Sequence, residues 1–114
     1  MAYHHEVGKK GELLAASHLR QKKYEVLHTN WTYGKLELDI VARYQDVLVF
    51  VEVKTRSTQY FGMPEEAVHA NKAQLIRRAA DKYMQQYNLQ PNEIRFDIIA
   101  VTVNEEIMHF EDAF

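Results

Sequence analysis

Four charged residues stand inside two otherwise apolar runs: Glu37 and Asp39 in LELDIVARY, and Glu52 and Lys54 in VLVFVEVKTR. Successive side chains of a strand point to opposite faces. Glu37, Asp39 and Val41 therefore share one face of the first run, and Leu48, Phe50, Glu52, Lys54 and Arg56 share one face of the second. A two-residue loop at Gln45-Asp46 sets Tyr44 opposite Val47, Val41 opposite Phe50, Asp39 opposite Glu52 and Glu37 opposite Lys54; a loop of three or five residues would move one strand's charges to the other face. Opposed Cβ atoms lie roughly 4.5–5.5 Å apart in such a pair. Two carboxylates at that range repel by about 1 kcal/mol in water, and by several times more in a low-dielectric cleft. A shared proton, the neighbouring lysine or a divalent cation would offset the repulsion. Carboxylate oxygens suit magnesium, which one or two carboxylates usually hold together with a substrate phosphate. The plain alternative is a solvated hairpin face. Val41, Leu48 and Phe50 lie on that same face, however, so half of it reads as buried, which favours a cleft at the end of a core.

The elements that would position these groups follow from periodicity. From Glu6 to Lys22, Val7, Gly11, Leu14, Ala15 and Leu19 form a helical apolar stripe. Glu12 lies at the stripe's edge between the small residues Gly8 and Ala16, which would let the helix approach another element closely; a helix-edge glutamate is ordinarily just solvated. Lys9, Lys10, Arg20, Lys22 and Lys23 make this end locally basic. Tyr24–Asn30 reads as a strand, and Trp31–Lys35 as a connection into the hairpin. After Arg56, STQYFGMPEEAV reads as a loop marked by Gly62 and Pro64, either facing a substrate or simply connecting. Asn71 is placed to cap a helix whose stripe is Leu75, Ile76, Ala79, Ala80, Tyr83, Met84 and Tyr87. Lys72 in its first turn opposes the helix dipole, which suits an anionic ligand, although such a lysine is often incidental. Glu93–Val103 places Ile94, Phe96, Ile98 and Ala100 on one strand face, and Asn104-Glu105 turns the chain into a last strand, Ile107–Phe110. Helix, strand, hairpin, helix, strand, strand is the pattern of a compact three-layer α/β domain with a mixed sheet.

Composition narrows the function classes. The 114 residues suit a single domain spanning 1–114, with 46% hydrophobic and 26% charged residues. No apolar run reaches membrane-spanning length, and MAYHHEVGKK lacks an apolar signal core, so a cytoplasmic, non-membrane protein is expected. Cysteine is absent, which excludes disulfides and thiolate metal sites. A net charge of −2 and a pI near 6.3 argue mildly against nucleic acid on bulk charge, while leaving room for a local basic face. There is no phosphate-binding glycine loop, no HExxH and no GxSxG, and the six histidines are scattered.

Asp39, a hairpin's length, and then Glu52-Val53-Lys54 resemble the D…ExK signature of the restriction-endonuclease-like superfamily. The ExK triplet alone is common. Together with GKKGELLAASHL, ELDIVA, VFVEVKTR, FGMPEEAV followed by Lys72, RFDIIAV and the closing DAF, it is similar to the YraN-like family of small bacterial proteins, which are themselves similar to Holliday-junction resolvases. The likeness runs from about Gly8 to Phe114. One departure is Leu36, where the family usually has glycine before its first acidic residue. The resemblance implies a restriction-endonuclease-like three-layer α/β/α fold with a mixed central sheet. It implies that Asp39, Glu52 and the Val53 carbonyl hold Mg2+ (or Mn2+), that Glu12 supports the site, and that Lys54 acts on the attacking water or the phosphate. Glu37 would back Lys54, and Arg56 and Lys72 would touch substrate phosphate. The implied function is a metal-dependent endonuclease hydrolysing nucleic-acid phosphodiesters, DNA foremost and branched or junction DNA by analogy, and a homodimer fits relatives that cut two strands. The rival reading is a non-catalytic nucleic-acid-binding or adaptor module that keeps the fold; a structural protein with an idle ionic cluster ranks behind both.

Overall fold

The computed structural model describes residues 2–56 and 70–114, with side chains from Gly8 onward. The loop expected over residues 57–68, with Gly62 and Pro64, and the side chain of Val7 lie outside the described residues. The elements are α1 (Ala2–Gln21), β1 (Glu25–Tyr33), β2 (Leu36–Tyr44), β3 (Val47–Arg56), α2 (Ala70–Gln86), β4 (Glu93–Thr102) and β5 (Ile107–Phe110). The strands form one sheet in sequential order, β1 to β5. Only β3 and β4 run parallel; the other neighbours are antiparallel. A parallel pair requires a crossover, and α2 lies within it.

Each helix covers one face. Leu48 and Phe50 of β3 and Phe96 and Ile98 of β4 pack with Ile76, Ala79, Ala80 and Tyr83 of α2. The alternate residues Val49, Val51, Ile99 and Val101 pack with Ala15, Ala16 and Leu19 of α1. The central strands are thus buried on both faces, as expected of a parallel pair, and the α/β/α layering agrees with a restriction-endonuclease-like fold. Gly11 sets the α1 contact: a Cβ there would lie 2.8 Å from Thr55 Oγ1, whereas one on Gly8 would meet nothing. The close approach is therefore made at Gly11 and not at Gly8.

Both helices end in Schellman geometry. After α1, Lys23 adopts φ 73° while Tyr24 N–H donates to Leu19 O and Lys23 N–H to Arg20 O. After α2, Asn88 (φ 53°) does the same, with Leu89 N–H on Met84 O. Asn71 lies inside α2, which has already begun at Ala70, so it is a first-turn residue and not the cap. Leu75 and Ile94, expected in the core, are 47% and 41% exposed.

The segment Trp31–Lys35 is not a connection: β1 continues to Tyr33, and Gly34 (φ 60°) with Lys35 makes a two-residue turn that sets Tyr33 opposite Leu36. Gly at that position supplies the left-handed backbone the turn requires. β1 itself is irregular. Its register on β2 slips between Val26 and His28, and Asn30 adopts φ 53° within the strand.

A buried ionic group fastens the far side of β4. Asp97 is fully buried and accepts from Arg95 Nε at 2.9 Å, Arg95 Nη2 at 2.8 Å and the Asp112 backbone N–H at 3.0 Å; His109 Nε2 lies 2.8 Å away. Arg95 also donates to Tyr24 Oη at 2.6 Å. Burial alone would raise the Asp97 pKa, but these donors outweigh it and hold the carboxylate below its ordinary range.

Candidate metal and phosphate site

The β2–β3 hairpin turns at Gln45-Asp46 and pairs Tyr44 with Val47 and Val41 with Phe50, as expected from the sequence. The ladder ends at Ile40 opposite Val51, and beyond it the strands part. Asp39 fills the opening: its Oδ2 accepts a hydrogen bond from the Val53 backbone N–H at 2.9 Å. The strict alternation assumed for β2 also stops there. Leu36 and Leu38 pack on the α2 side together with Val41, while Ile40 and Ala42 pack on the α1 side. Across on β1, the switch falls between Thr29 opposite Ile40 and Trp31 opposite Leu38, where Asn30 has its left-handed backbone.

Glu52 is only 6% exposed. The Asp39 carboxyl is within hydrogen-bonding reach of it and is pushed up to about 7, first by burial and then by the Glu52 and Glu12 charges. Two lysines face the same Glu52 oxygen: Lys72 Nζ at 2.9 Å and Lys54 Nζ at 3.9 Å. Burial, then the Lys72 charge, lowers the Lys54 pKa, although Glu52 opposes both. Burial acts downward on Lys72 too, but its contact with Glu52 prevails and raises its pKa.

The remaining sequence candidates distribute around this centre. Glu12 of α1 is half-buried and acts on Asp39 through its charge. It lines a groove with Lys9, Leu13, Arg20, Thr29 and Asn30. Glu37 is exposed and, among the described residues, makes no ion pair with Lys54, whose carboxylate partner is Glu52. The ladder ends before the registers that would oppose Asp39 to Glu52 and Glu37 to Lys54, so neither charged pair is a ladder pair. Glu37 instead borders a second groove of about 480 Å³ with Lys35, Leu36, Asn71, Lys72 and Leu75. Arg56 is half-buried at the end of β3, its guanidinium on the Thr55 carbonyl at 3.3 Å, close enough to Lys54 to act on it. A separate hollow at the β2–β3 turn, between Arg43 and Asn92, lies at the opposite end of β3 from the acidic pair.

Helical spacing already sets Lys9, Glu12 and Arg20 on one face of α1. That Asn30 joins their groove, and that Lys72 binds Glu52, depends on elements brought together from far apart in the chain. Among the described residues, no three His, Cys, Asp or Glu side chains come together in a group that could hold a metal ion, so Glu12 does not join Asp39 and Glu52 as a third carboxylate ligand. The donor set at the parted ladder is two carboxylates, and the Val53 carbonyl shares the β3 edge of its N–H, as both groups of one strand residue do. Such an open oxygen set fits magnesium, which keeps several waters and takes substrate phosphate as ligand.

The uncharacterised protein family UPF0102, of which the YraN-like proteins are the members, matches residues 11–101. A UPF0102 protein of Flavobacterium psychrophilum is 48% identical, covering all of this chain and 98% of the relative. Those of Christiangramia forsetii and Bacteroides thetaiotaomicron are 45% and 46% identical over the whole chain and 98% and 96% of their own lengths.

Proposed function

The chain belongs to the UPF0102 family, and from the geometry of its own residues we propose that it is a metal-dependent endonuclease hydrolysing nucleic-acid phosphodiesters. DNA is the foremost substrate, with branched or junction DNA by analogy to the resolvases. One observation carries the reading: Asp39 is seated in the parted β2–β3 ladder, bonded to the Val53 N–H, with buried Glu52 within reach of its carboxyl. A carboxylate pair held together against its own repulsion is costly unless a positive group is meant to sit on it. Glu52 also lies in the C-terminal half of β3, beside parallel β4, where open α/β sheets bind ligands.

Asp39, Glu52 and the Val53 carbonyl would hold Mg2+ or Mn2+, which when bound polarises a phosphoryl oxygen and acidifies an attacking water. Lys54, with its lowered pKa, is placed two residues from Glu52 to take a proton from that water or to face the charge developing on the phosphate. Glu12 adds negative charge from α1 and orients water at the rim of the centre. Cations line both approaches: Lys9 and Arg20 on the α1 side, Lys35 and Lys72 on the α2 side. A chain with a net charge of −2 can therefore still offer phosphates a positive approach.

The test is cleavage of linear duplex, single-stranded and four-way-junction DNA with Mg2+ or Mn2+, beside Glu52→Ala and Lys54→Ala. Metal-dependent cleavage that the variants lose supports the reading; no cleavage above the variants with any of these substrates defeats it. Binding of DNA without cleavage would instead favour the non-catalytic binding module. That second reading draws on the Glu52–Lys72 pair, in which protein groups alone already satisfy the buried carboxylate.

A further inference from the structure

We propose that Lys72 is an exchangeable counterion. It holds Glu52 in the free protein, must leave when a divalent cation binds, and is taken up by a substrate phosphate in the groove beside it. Metal and nucleic acid then bind with positive coupling. The inference rests on the metal-site reading above and adds how that site is regulated.

The two lysines on Glu52 Oε1 are not equivalent. Lys54 is 3.9 Å from that oxygen, its side chain is 18% exposed, and its backbone lies in a central strand. Lys72 is 2.9 Å from the same oxygen, and its side chain is 48% exposed. Lys72 also lines the α2-side groove with Lys35, Asn71 and Leu75, so its stem can swing outward without crossing packed core. A magnesium ion sits about 2.0–2.1 Å from a carboxylate oxygen, and an ammonium still in hydrogen-bond contact with that oxygen would crowd it. Both cations cannot keep the same oxygen, and Lys72 is the one with somewhere to go.

Where it goes follows from charge. In the first turn of α2 the helix dipole disfavours a cation, so Lys72 needs an anion. A phosphodiester strand lying between Lys35 and Lys72 supplies one, next to the amide-rich end of α2. Without nucleic acid, a released Lys72 exchanges the buried Glu52 carboxylate for solvent and the exposed Glu37 that lines the same groove, a weaker partner, and metal binding is penalised. With nucleic acid the penalty is removed. Linkage makes the effect reciprocal: metal strengthens strand binding by the same factor as the strand strengthens metal binding.

The experiment is calorimetric titration of Mn2+ into the full chain, alone and with a short phosphorothioate DNA duplex that resists hydrolysis. The proteins are wild type, Lys72→Gln, Lys72→Arg and Glu52→Gln. Without DNA, Lys72→Gln binds Mn2+ about tenfold more tightly than wild type, while Lys72→Arg, which keeps the charge, stays near wild type. DNA tightens Mn2+ binding to wild type severalfold and changes Lys72→Gln by less than about twofold. An affinity for Mn2+ in Lys72→Gln equal to or weaker than wild type overturns the counterion role. Equal coupling to DNA in both proteins overturns it as well. If no protein binds Mn2+, or Glu52→Gln binds it as well as wild type does, the metal site itself is refuted, a result distinct from failure of the exchange.

Discussion

The Val53 N–H donates to the Asp39 side chain at 2.9 Å and not to a backbone carbonyl of β2. A part-buried carboxylate thereby replaces one rung of a β-ladder and is carried into the sheet beside buried Glu52. Its pKa of about 7 gives the relationship a sign. The folded protein holds a proton on Asp39 that the unfolded chain releases near pH 4, so stability from this group is complete at low pH and is lost as pH rises towards about 7. Asp39→Asn keeps an oxygen for the Val53 N–H without the charge. Its unfolding free energy without metal, measured by urea denaturation, should exceed wild type by a margin that grows from pH 5 to pH 8, reaching roughly 2–4 kcal/mol. A margin that shrinks over that range would contradict the assignment.

Glu12 should be detectable at Asp39 without any substrate. It is one of the charges that raise the Asp39 pKa, so Glu12→Gln should lower the Asp39 midpoint in a carboxyl-carbon NMR titration. An unmoved midpoint would mean that Glu12 does not share the centre.

Gly11 and Thr55 form a testable pair. A methyl group at Gly11 would stand 2.8 Å from Thr55 Oγ1. Gly11→Ala gains about 1 kcal/mol of helix propensity but forces Thr55 or the helix to yield, which costs roughly 1–3 kcal/mol. Urea denaturation should show Gly11→Ala to be destabilised and Gly11→Ala/Thr55→Ala to recover much of the loss. Simple addition of the two single effects would show that the contact is not the cause.

Asp97 predicts the opposite pH behaviour to Asp39. Its pKa is held low by His109, Arg95 and the Asp112 N–H against the pull of burial. Its stabilisation is therefore present above the ordinary carboxylate value near 3.8 and is lost as pH falls below it. Asp97→Asn should cost roughly 3–5 kcal/mol at pH 7, because Arg95 keeps its charge with its main partner gone. The difference between the two proteins should narrow in acid unfolding below about pH 4.

The sequence exposed the parts of this site that are local. Gln45-Asp46 between β-branched runs set the hairpin register, and with it the position of Glu52 and Lys54 on the α2 side. Asp39 was visible as a charge out of place, but its hydrogen bond to Val53 was not, because period two assumes an unbroken strand. Lys72 was legible as a first-turn cation, and its carboxylate was not, since Glu52 lies twenty positions earlier. Gly34 is the one sequence mark of the β1–β2 turn, and Trp31 and Tyr33 before it end a strand instead of forming a link. Asp97 is silent in the sequence for a related reason. The apolar face of Phe96 and Ile98 accounts for half of β4, and only a strand buried on both sides requires an account of the residues between.

The irregularities of β1 reach beyond the site they border. This strand is one rim of the sheet, and β5, with four residues, is the other. The slipped register at Val26/His28 and the reversed backbone at Asn30 bend the outer row of amides away from a straight template. A second molecule cannot simply continue the sheet from that side. The same twist that opens room beside Asp39 thus makes the β1 rim a poor template for edge-to-edge pairing.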